Sequence, residues 1–146
     1  MIHVYTDGGC SGNPGPGGWA YVIIKDSELI AEKWGAERST TNNRMELQAV
    51  IAALKTLPNL VENKENVSFF TDSQYVQKGI SEWIRKWKQN SWRTGDKKPV
   101  KNQDLWRELD AVAGEFSITW TWVKGHAGNK FNERCDDLTQ KAIASL

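Results

Sequence analysis

Two aspartates occupy the same position in two similar segments of the chain. Asp7 ends the segment YTD and Asp72 ends the segment FTD, and each segment reads as the end of a short β-strand. A helix long enough for a right-handed crossover lies between them, so we expect two neighbouring parallel strands. The aspartates would then lie about 4.8 Å apart at the carboxyl ends of the strands, where open α/β sheets bind ligands. Carboxylates this close repel each other unless one is protonated or a cation lies between them, so the spacing predicts a metal site.

Each candidate acid also has a local explanation. Asp7 precedes two glycines and can open a turn, and Asp72 can cap the helix that follows it. Glu46 lies three residues after an asparagine, as in a capping box, and Asp136 suits the positive end of the last helix. Taken singly, none of the four acids establishes a metal site.

The strands that position these acids can be predicted from alternating apolar residues and turn signals. They cover residues 2–6, 19–25, 28–37, 67–71 and 117–123. A tight turn at Asp26-Ser27 joins the second and third strands as a hairpin. The glycine- and proline-rich segment 8–18 predicts an irregular loop.

Apolar residues at the 3.6-residue period predict the helices. One helix follows residues 39–43 and ends at Pro58, helical segments run from Asp72 to about Gln89, another helix begins near Asn102, and the last buries Phe131, Cys135, Leu138 and Ala142. The resulting order β-β-β-α-β-α-α-α-β-α predicts an α/β fold, a five-stranded mixed sheet with helices on both faces.

Length and composition narrow the class of protein. The chain has 146 residues, 39% of them hydrophobic and 25% charged, which predicts one globular domain over residues 1–146. No apolar run approaches the roughly 20 residues of a membrane span, and the first residues lack a secretory leader. Cys10 and Cys135 form no metal-like pair, so we expect reduced thiols and a cytoplasmic protein.

The net charge of +1 hides a basic segment. Seven lysines and arginines against Asp96 alone give residues 85–101 a charge of +6 and leave −5 on the rest of the chain. Trp83, Trp87 and Trp92 lie within ten residues of one another in the same region. Cations and flat indole rings favour binding of a nucleic acid. The alternative is a solvated basic helix whose tryptophans pack on the core, which fits Trp83 and Trp87 better than Trp92.

Five stretches in chain order resemble bacterial type 1 ribonuclease H. They are YTDGGCSGNPGPGG at 5–18, TTNNRMEL at 40–47, TDSQYV at 71–76, KKPVKNQDLW at 97–106 and WVKGHAGNKFNERCDDL at 122–138. The resemblance implies the ribonuclease H-like fold and an enzyme that hydrolyses the RNA strand of RNA–DNA hybrids, leaving 5′-phosphate and 3′-hydroxyl ends. It also implies that Asp7, Glu46, Asp72 and Asp136 hold two Mg²⁺ ions, with Mn²⁺ as a substitute.

The resemblance assigns further residues. His126, in a short glycine-flanked loop, matches the family histidine proposed to act in proton transfer or product release. Asn13, Asn43 and Gln74 match contacts to the hybrid, and Thr41 with Asn13 matches a pocket for a DNA phosphate. The predicted substrate-binding set is Gly8, Cys10, Asn13, Thr41, Asn42, Asn43, Gln74, Trp83, Lys86, Lys88, Trp92, Lys97 and Lys98.

Three other interpretations of the sequence compete with a monomeric ribonuclease H. A DNA-cutting nuclease on the same fold, such as a transposase core, would need a recognition element for which no residues remain. A non-catalytic hybrid-binding module predicts the loss of at least one acid, yet all four are present. The ribonuclease H domain of a reverse transcriptase would accompany a polymerase, which this chain lacks.

Overall fold

Five strands form one mixed sheet in the computed structural model, which describes residues 1–60, 65–123 and 129–146. The strands are β1 (Ile2–Cys10), β2 (Gly15–Lys25), β3 (Glu28–Thr40), β4 (Asn66–Thr71) and β5 (Ser117–Trp122). Their spatial order is β3-β2-β1-β4-β5, and β1, β2 and β3 pair antiparallel. The pairs β1–β4 and β4–β5 are parallel, so the strands that carry or precede Asp7 and Asp72 are neighbours, as predicted.

The helices follow the predicted order. They are α1 (Asn42–Thr56), α2 (Gln74–Lys78), α3 (Ile84–Gln89), α4 (Gln103–Ala113) and α5 (Lys130–Ala144). A 3₁₀ turn, Leu57–Asn59, ends α1 at the predicted proline, and a π-helical turn, Gly79–Trp83, joins α2 to α3. Within the described residues, no helix has both the length and the apolar character that crossing a bilayer requires.

Two apolar layers hold helices on opposite faces of the sheet. Ile2 and Val4 of β1 point into the larger layer with side chains of α1 and α4, while Tyr5 points into the smaller layer with Cys135 and Leu138 of α5. This alternation follows from the two-residue period of a strand. The predicted fold class is therefore confirmed.

The prediction that residues 8–18 form an irregular loop is wrong for residues 8–10 and 15–18, and only residues 11–14 are irregular. β1 continues to Cys10, β2 begins at Gly15, and glycines pair across the two strands, with Gly9 opposite Gly18. The physical reason is close packing, since a methyl group at Gly18 would lie 2.9 Å from Ala142 on α5. Glycine here makes room for a helix over a strand rather than breaking the strand.

Two local explanations for the acids are also wrong. The cap of α1 is Thr41, whose hydroxyl accepts a hydrogen bond from the Arg44 amide at 3.3 Å. The cap of α2 is Ser73, whose hydroxyl accepts from the Val76 amide at 3.2 Å. Glu46 and Asp72 therefore have no capping role that would account for them.

The junction between α2 and α3 rests on the buried ring of Trp106. Gly79 begins the π-helical turn, and a methyl group on it would overlap that ring. The indole of Trp106 is fully buried and donates a hydrogen bond to the Tyr75 hydroxyl at 2.9 Å. This packing holds the helix that leads into the basic segment.

We expect Gly79→Ala to lower the free energy of unfolding by about 2–3 kcal/mol because the Trp106 ring has no space to retreat. Gly79 has helical backbone angles, with φ −60°, so alanine itself adds no backbone strain there. Urea unfolding measures the change. Gly95→Ala is the control, since its methyl group meets nothing within 4 Å; an equal loss in both variants would contradict the packing argument.

Candidate active site

Three carboxylates meet at the edge of the sheet where β1 and β4 run side by side. Asp7 lies in β1, Glu46 in α1, and Asp72 directly after β4. Each offers one oxygen, and these oxygens all lie within 4.8 Å of one another. The expected proximity of Asp7 and Asp72 is confirmed, and Glu46 joins them from the helix above.

Strand register and one glycine create this geometry. Tyr5 of β1 lies opposite Phe70 of β4, so continuing the register brings Asp7 opposite Asp72. A β-carbon on Gly8 would lie 2.5 Å from the Glu46 amide nitrogen, a distance that real side chains do not reach. The absence of a side chain at Gly8 therefore lets α1 approach β1 and brings Glu46 to Asp7.

Asp136 approaches from the opposite face of the sheet on α5. The Cys135 thiol donates to the Tyr5 carbonyl at 3.2 Å, which ties α5 to β1 two residues before Asp7. Among the described residues, the cluster of three oxygens does not include Asp136. Its charge nevertheless reaches Asp7, where it helps to raise the pKa.

Burial and mutual repulsion keep these acids from ionising freely. Burial first, and then the charges of Asp72 and Asp136, raise the pKa of Asp7 from 3.8 to about 7. Burial followed by the charges of Asp7 and Asp72 raises the pKa of Glu46 well above its usual value. One oxygen of Glu46 is buried with no hydrogen-bond partner among the described residues. A bound cation would therefore stabilise the ionised form of these buried carboxylates.

The donor set suits a hard divalent cation. All three converging groups are carboxylates, the ligands that Mg²⁺ and Mn²⁺ accept and that zinc sites seldom use alone. Cys135 on α5 is a soft donor, but burial raises the pKa of its thiol, so the sulfur stays neutral. The partnerless oxygen of Glu46 is an acceptor that such a cation would satisfy.

Several predicted substrate-binding residues lie on or next to the elements that carry the three acids. The side-chain oxygen of Asn13, in the turn between β1 and β2, accepts a hydrogen bond from the Asn42 amide at 3.2 Å. That contact joins the turn to the start of α1, where Thr41 and Asn43 also lie. Gln74 opens α2 two residues after Asp72 and is exposed.

Two residues of that set face inward. Gly8 packs under α1, and the Cys10 thiol donates to the carbonyls of Gly15 and Thr40, each at 3.2 Å. His126 belongs to residues 124–128, outside the described part of the chain.

The basic segment shows features of both predicted arrangements, with tryptophans that pack on the core and cations that are exposed. Trp87 packs on Trp83 at 5.8 Å and on Trp92 at 6.2 Å between ring centres, so these rings form a half-buried series along the core. Arg107 lies over the Trp92 ring at 5.4 Å. The cations stay on the surface: Lys86, Lys97 and Lys98 are exposed, and Lys88 is exposed while paired with Asp110 at 3.3 Å.

One residue beside the carboxylates was not predicted from the sequence. The Trp122 indole donates a hydrogen bond to the Asp72 carbonyl at 3.1 Å. The available signal was its position at the start of the stretch WVKGHAGNKFNERCDDL, shortly before the sequence segment that contains His126.

Comparisons with known proteins agree on one family. The family model described as RNase H matches residues 1–144. The chain is 55% identical to Ribonuclease H of Treponema denticola in an alignment of 157 positions that covers 99% of this chain and 98% of that protein. It is 52% identical to Ribonuclease HI of Neisseria meningitidis serogroup B over 145 residues, which cover 99% and 97%.

Solved structures give the same result. LC9-RNase H1, a type 1 RNase H with the type 2 active-site motif, is 31% identical and superposes with a TM-score of 0.86 over 99% of this chain and 72% of that one. LC11-RNase H1 in complex with RNA/DNA hybrid is 25% identical, with a TM-score of 0.75 over 99% and 98%.

We expect Gly8→Ala to weaken Mg²⁺ binding and to lower the free energy of unfolding by about 1–3 kcal/mol, because the methyl group forces α1 away from β1. Calorimetric titration and urea unfolding measure the two effects. Gly9→Ala is the adjacent control, because its methyl group meets nothing within 4 Å and should change stability by less than about 0.5 kcal/mol. Equal behaviour of the two variants would contradict the proposed approach of α1.

We expect Asp7→Asn to stabilise the metal-free protein at pH 8. A carboxyl group whose pKa is raised from 3.8 to about 7 in the folded state lowers stability as pH rises through that interval. The amide removes this penalty and should add up to about 4 kcal/mol at pH 8 and little at pH 4.

Urea unfolding in a chelator at both pH values measures the difference. Asp137→Asn, a change to an exposed acid one residue beyond Asp136, is the control and should show no pH-dependent gain. An Asp7→Asn protein no more stable than wild type at pH 8 would contradict the raised pKa.

Proposed function

The chain belongs to the ribonuclease H family of hydrolases, and we propose that it cuts the RNA strand of RNA–DNA hybrids as an endonuclease, leaving 5′-phosphate and 3′-hydroxyl ends. The observation that carries this proposal is the convergence of Asp7, Glu46 and Asp72 within 4.8 Å at the edge of the sheet. The superposition on LC11-RNase H1, whose structure was solved with an RNA/DNA hybrid, supports the choice of substrate.

Asp7, Glu46, Asp72 and Asp136 would hold two Mg²⁺ ions, with Mn²⁺ as a substitute. Bound between carboxylates, such ions activate a water molecule and stabilise the leaving oxygen of a phosphodiester. The partnerless Glu46 oxygen and the raised pKa values of Asp7 and Glu46 support this assignment. Asp136 lies outside the cluster of three oxygens, so we assign it to the side of the site that faces α5.

The residues around the cluster would position the hybrid. Asn13, Asn43 and Gln74 would contact it near the scissile bond, and Thr41 with Asn13 would bind a phosphate of the DNA strand. The hydrogen bond from the Asn42 amide to Asn13 supports a joint pocket. A specific enzyme must recognise sugar and shape rather than base edges, which suits backbone and amide groups such as those along Gly8–Cys10.

The basic segment would hold the DNA strand further along the duplex. Lys86, Lys97 and Lys98 are exposed cations available to phosphates. Lys88 would also contribute after releasing Asp110. The indoles of Trp83 and Trp92 keep part of their surface open and would pack against sugars. His126 would transfer a proton to the leaving group or assist product release.

We further propose that residues 1–146 act as one domain and as a monomer in the cytoplasm. The family model spans residues 1–144, and the three converging acids come from one chain. Cys10 and Cys135 are free thiols, which supports a reducing compartment.

The test is cleavage of a labelled RNA–DNA hybrid in Mg²⁺ by wild type, Asp7→Asn and Asp137→Asn. We expect wild type and Asp137→Asn to cut only the RNA strand, and Asp7→Asn to lose about 10³-fold or more of the rate, because it removes a ligand charge. A chelator should abolish cleavage. RNA–RNA and DNA–DNA duplexes serve as substrate controls.

Two outcomes would contradict the proposal. A folded wild type that binds the hybrid without cutting it would indicate a binding module instead. Cleavage of the DNA duplex at a comparable rate would indicate a DNA nuclease on the same fold. A native gel reports binding of the uncut hybrid and a denaturing gel reports cleavage, so the two measurements together separate the alternatives.

A further inference from the structure

Trp122 lies at the end of β5, beside the strand that delivers Asp72. β5 pairs with β4 along its full length, and Trp122 lies opposite Thr71, the residue before Asp72. Its side chain leaves 41% of its surface exposed. Trp120, on the same face of the same strand, instead packs its ring against Phe69 at 4.8 Å. The two indoles therefore serve different purposes, and that of Trp122 is not core packing.

The polar atom of this indole bonds the backbone of a residue in the carboxylate cluster. The N–H group of Trp122 donates to the backbone carbonyl of Asp72 at 3.1 Å. The next amide, that of Val123, donates to the Thr71 carbonyl at 2.8 Å, and the Ser73 amide donates to the Thr71 hydroxyl at 3.1 Å. The backbone that carries Asp72 is thus bonded on both sides just after the ladder of β4 ends.

We propose that Trp122 is a positioning residue for Asp72 and sets the affinity of the site for a divalent cation. Asp72 lies in the turn between β4 and α2, where ladder hydrogen bonds no longer fix the backbone. The bond from the indole fixes the Asp72 carbonyl and with it the direction in which the Cα–Cβ bond leaves the chain. That direction decides whether the carboxylate meets those of Asp7 and Glu46. The inference rests on the proposed metal site.

The size of the effect follows from the strength of one hydrogen bond. The net contribution of a neutral hydrogen bond corresponds to about two- to tenfold in an equilibrium constant, and groups that orient metal ligands typically alter affinity by about 10- to 100-fold. We therefore expect Trp122→Phe, which keeps an aromatic ring and removes the donor, to weaken Mg²⁺ binding by about three- to tenfold.

The experiment compares Trp122→Phe with Trp34→Phe. Trp34 is a matched control, because it exposes 44% of its surface and lies on β3 at the outer edge of the sheet. Calorimetric titration with Mg²⁺ alone, without substrate, measures affinity, and urea unfolding measures stability. We expect weakened Mg²⁺ binding in Trp122→Phe, wild-type binding in Trp34→Phe, and similar unfolding in both.

A second measurement uses the wild-type protein and does not depend on the folding of a variant. The indole N–H of Trp122 gives one signal in a ¹H–¹⁵N spectrum. Its absence from the spectrum of Trp122→Phe assigns that signal. Because its acceptor belongs to Asp72, we expect this signal to shift during an Mg²⁺ titration. The midpoint of the shift should agree with the affinity measured by calorimetry. The Trp34 signal should stay in place.

The outcomes separate this inference from the proposed function. If wild type binds Mg²⁺ and cuts the hybrid, while Trp122→Phe binds Mg²⁺ equally well or the Trp122 signal stays in place, the positioning role is wrong and the function stands. If wild type neither binds Mg²⁺ nor cuts the hybrid, both proposals fail together.

Discussion

The structure depends on holding three partly buried carboxylates, those of Asp7, Glu46 and Asp72, close together despite their mutual repulsion. Three carboxylates within 4.8 Å cannot all ionise without a counter-charge, and one buried Glu46 oxygen has no hydrogen-bond partner among the described residues. Such a site lowers the stability of the metal-free fold and persists only where the surrounding structure leaves the acids no alternative position. A divalent cation resolves the conflict, because it neutralises the charges and supplies the missing partner.

The fold meets this constraint by bringing rigid elements to one point. Parallel β1 and β4 deliver two of the acids, and Gly8 lets α1 bring the third. On the opposite face, the Cys135 thiol joins α5 to β1. Each acid thus lies in a helix or strand, or directly after one, and an apolar layer holds that element in place. Core packing on both faces of the sheet therefore offsets the repulsion among the acids.

Much of this arrangement could be predicted from the sequence, and the exceptions share a physical origin. The pairing of Asp7 with Asp72 and the period of the helices depend on local patterns, and both are confirmed, although β1 continues past Asp7 to Cys10. In the segment 8–18 the local pattern of glycines indicates an irregular loop. In the structure, glycines such as Gly8 and Gly18 instead leave space for α1 and α5 to pack against the strands. The bond from Trp122 to Asp72 depends on strand pairing across 50 residues, which no local pattern contains.

The most direct test of the counter-charge account counts the protons that Mg²⁺ displaces. Calorimetric titration of wild type at pH 7, in buffers that differ in ionisation enthalpy, gives this number. With the pKa of Asp7 at about 7 and that of Glu46 raised as well, binding should release about one proton. Heats that are independent of the buffer would mean that the acids are already ionised before the cation arrives, and would contradict the account.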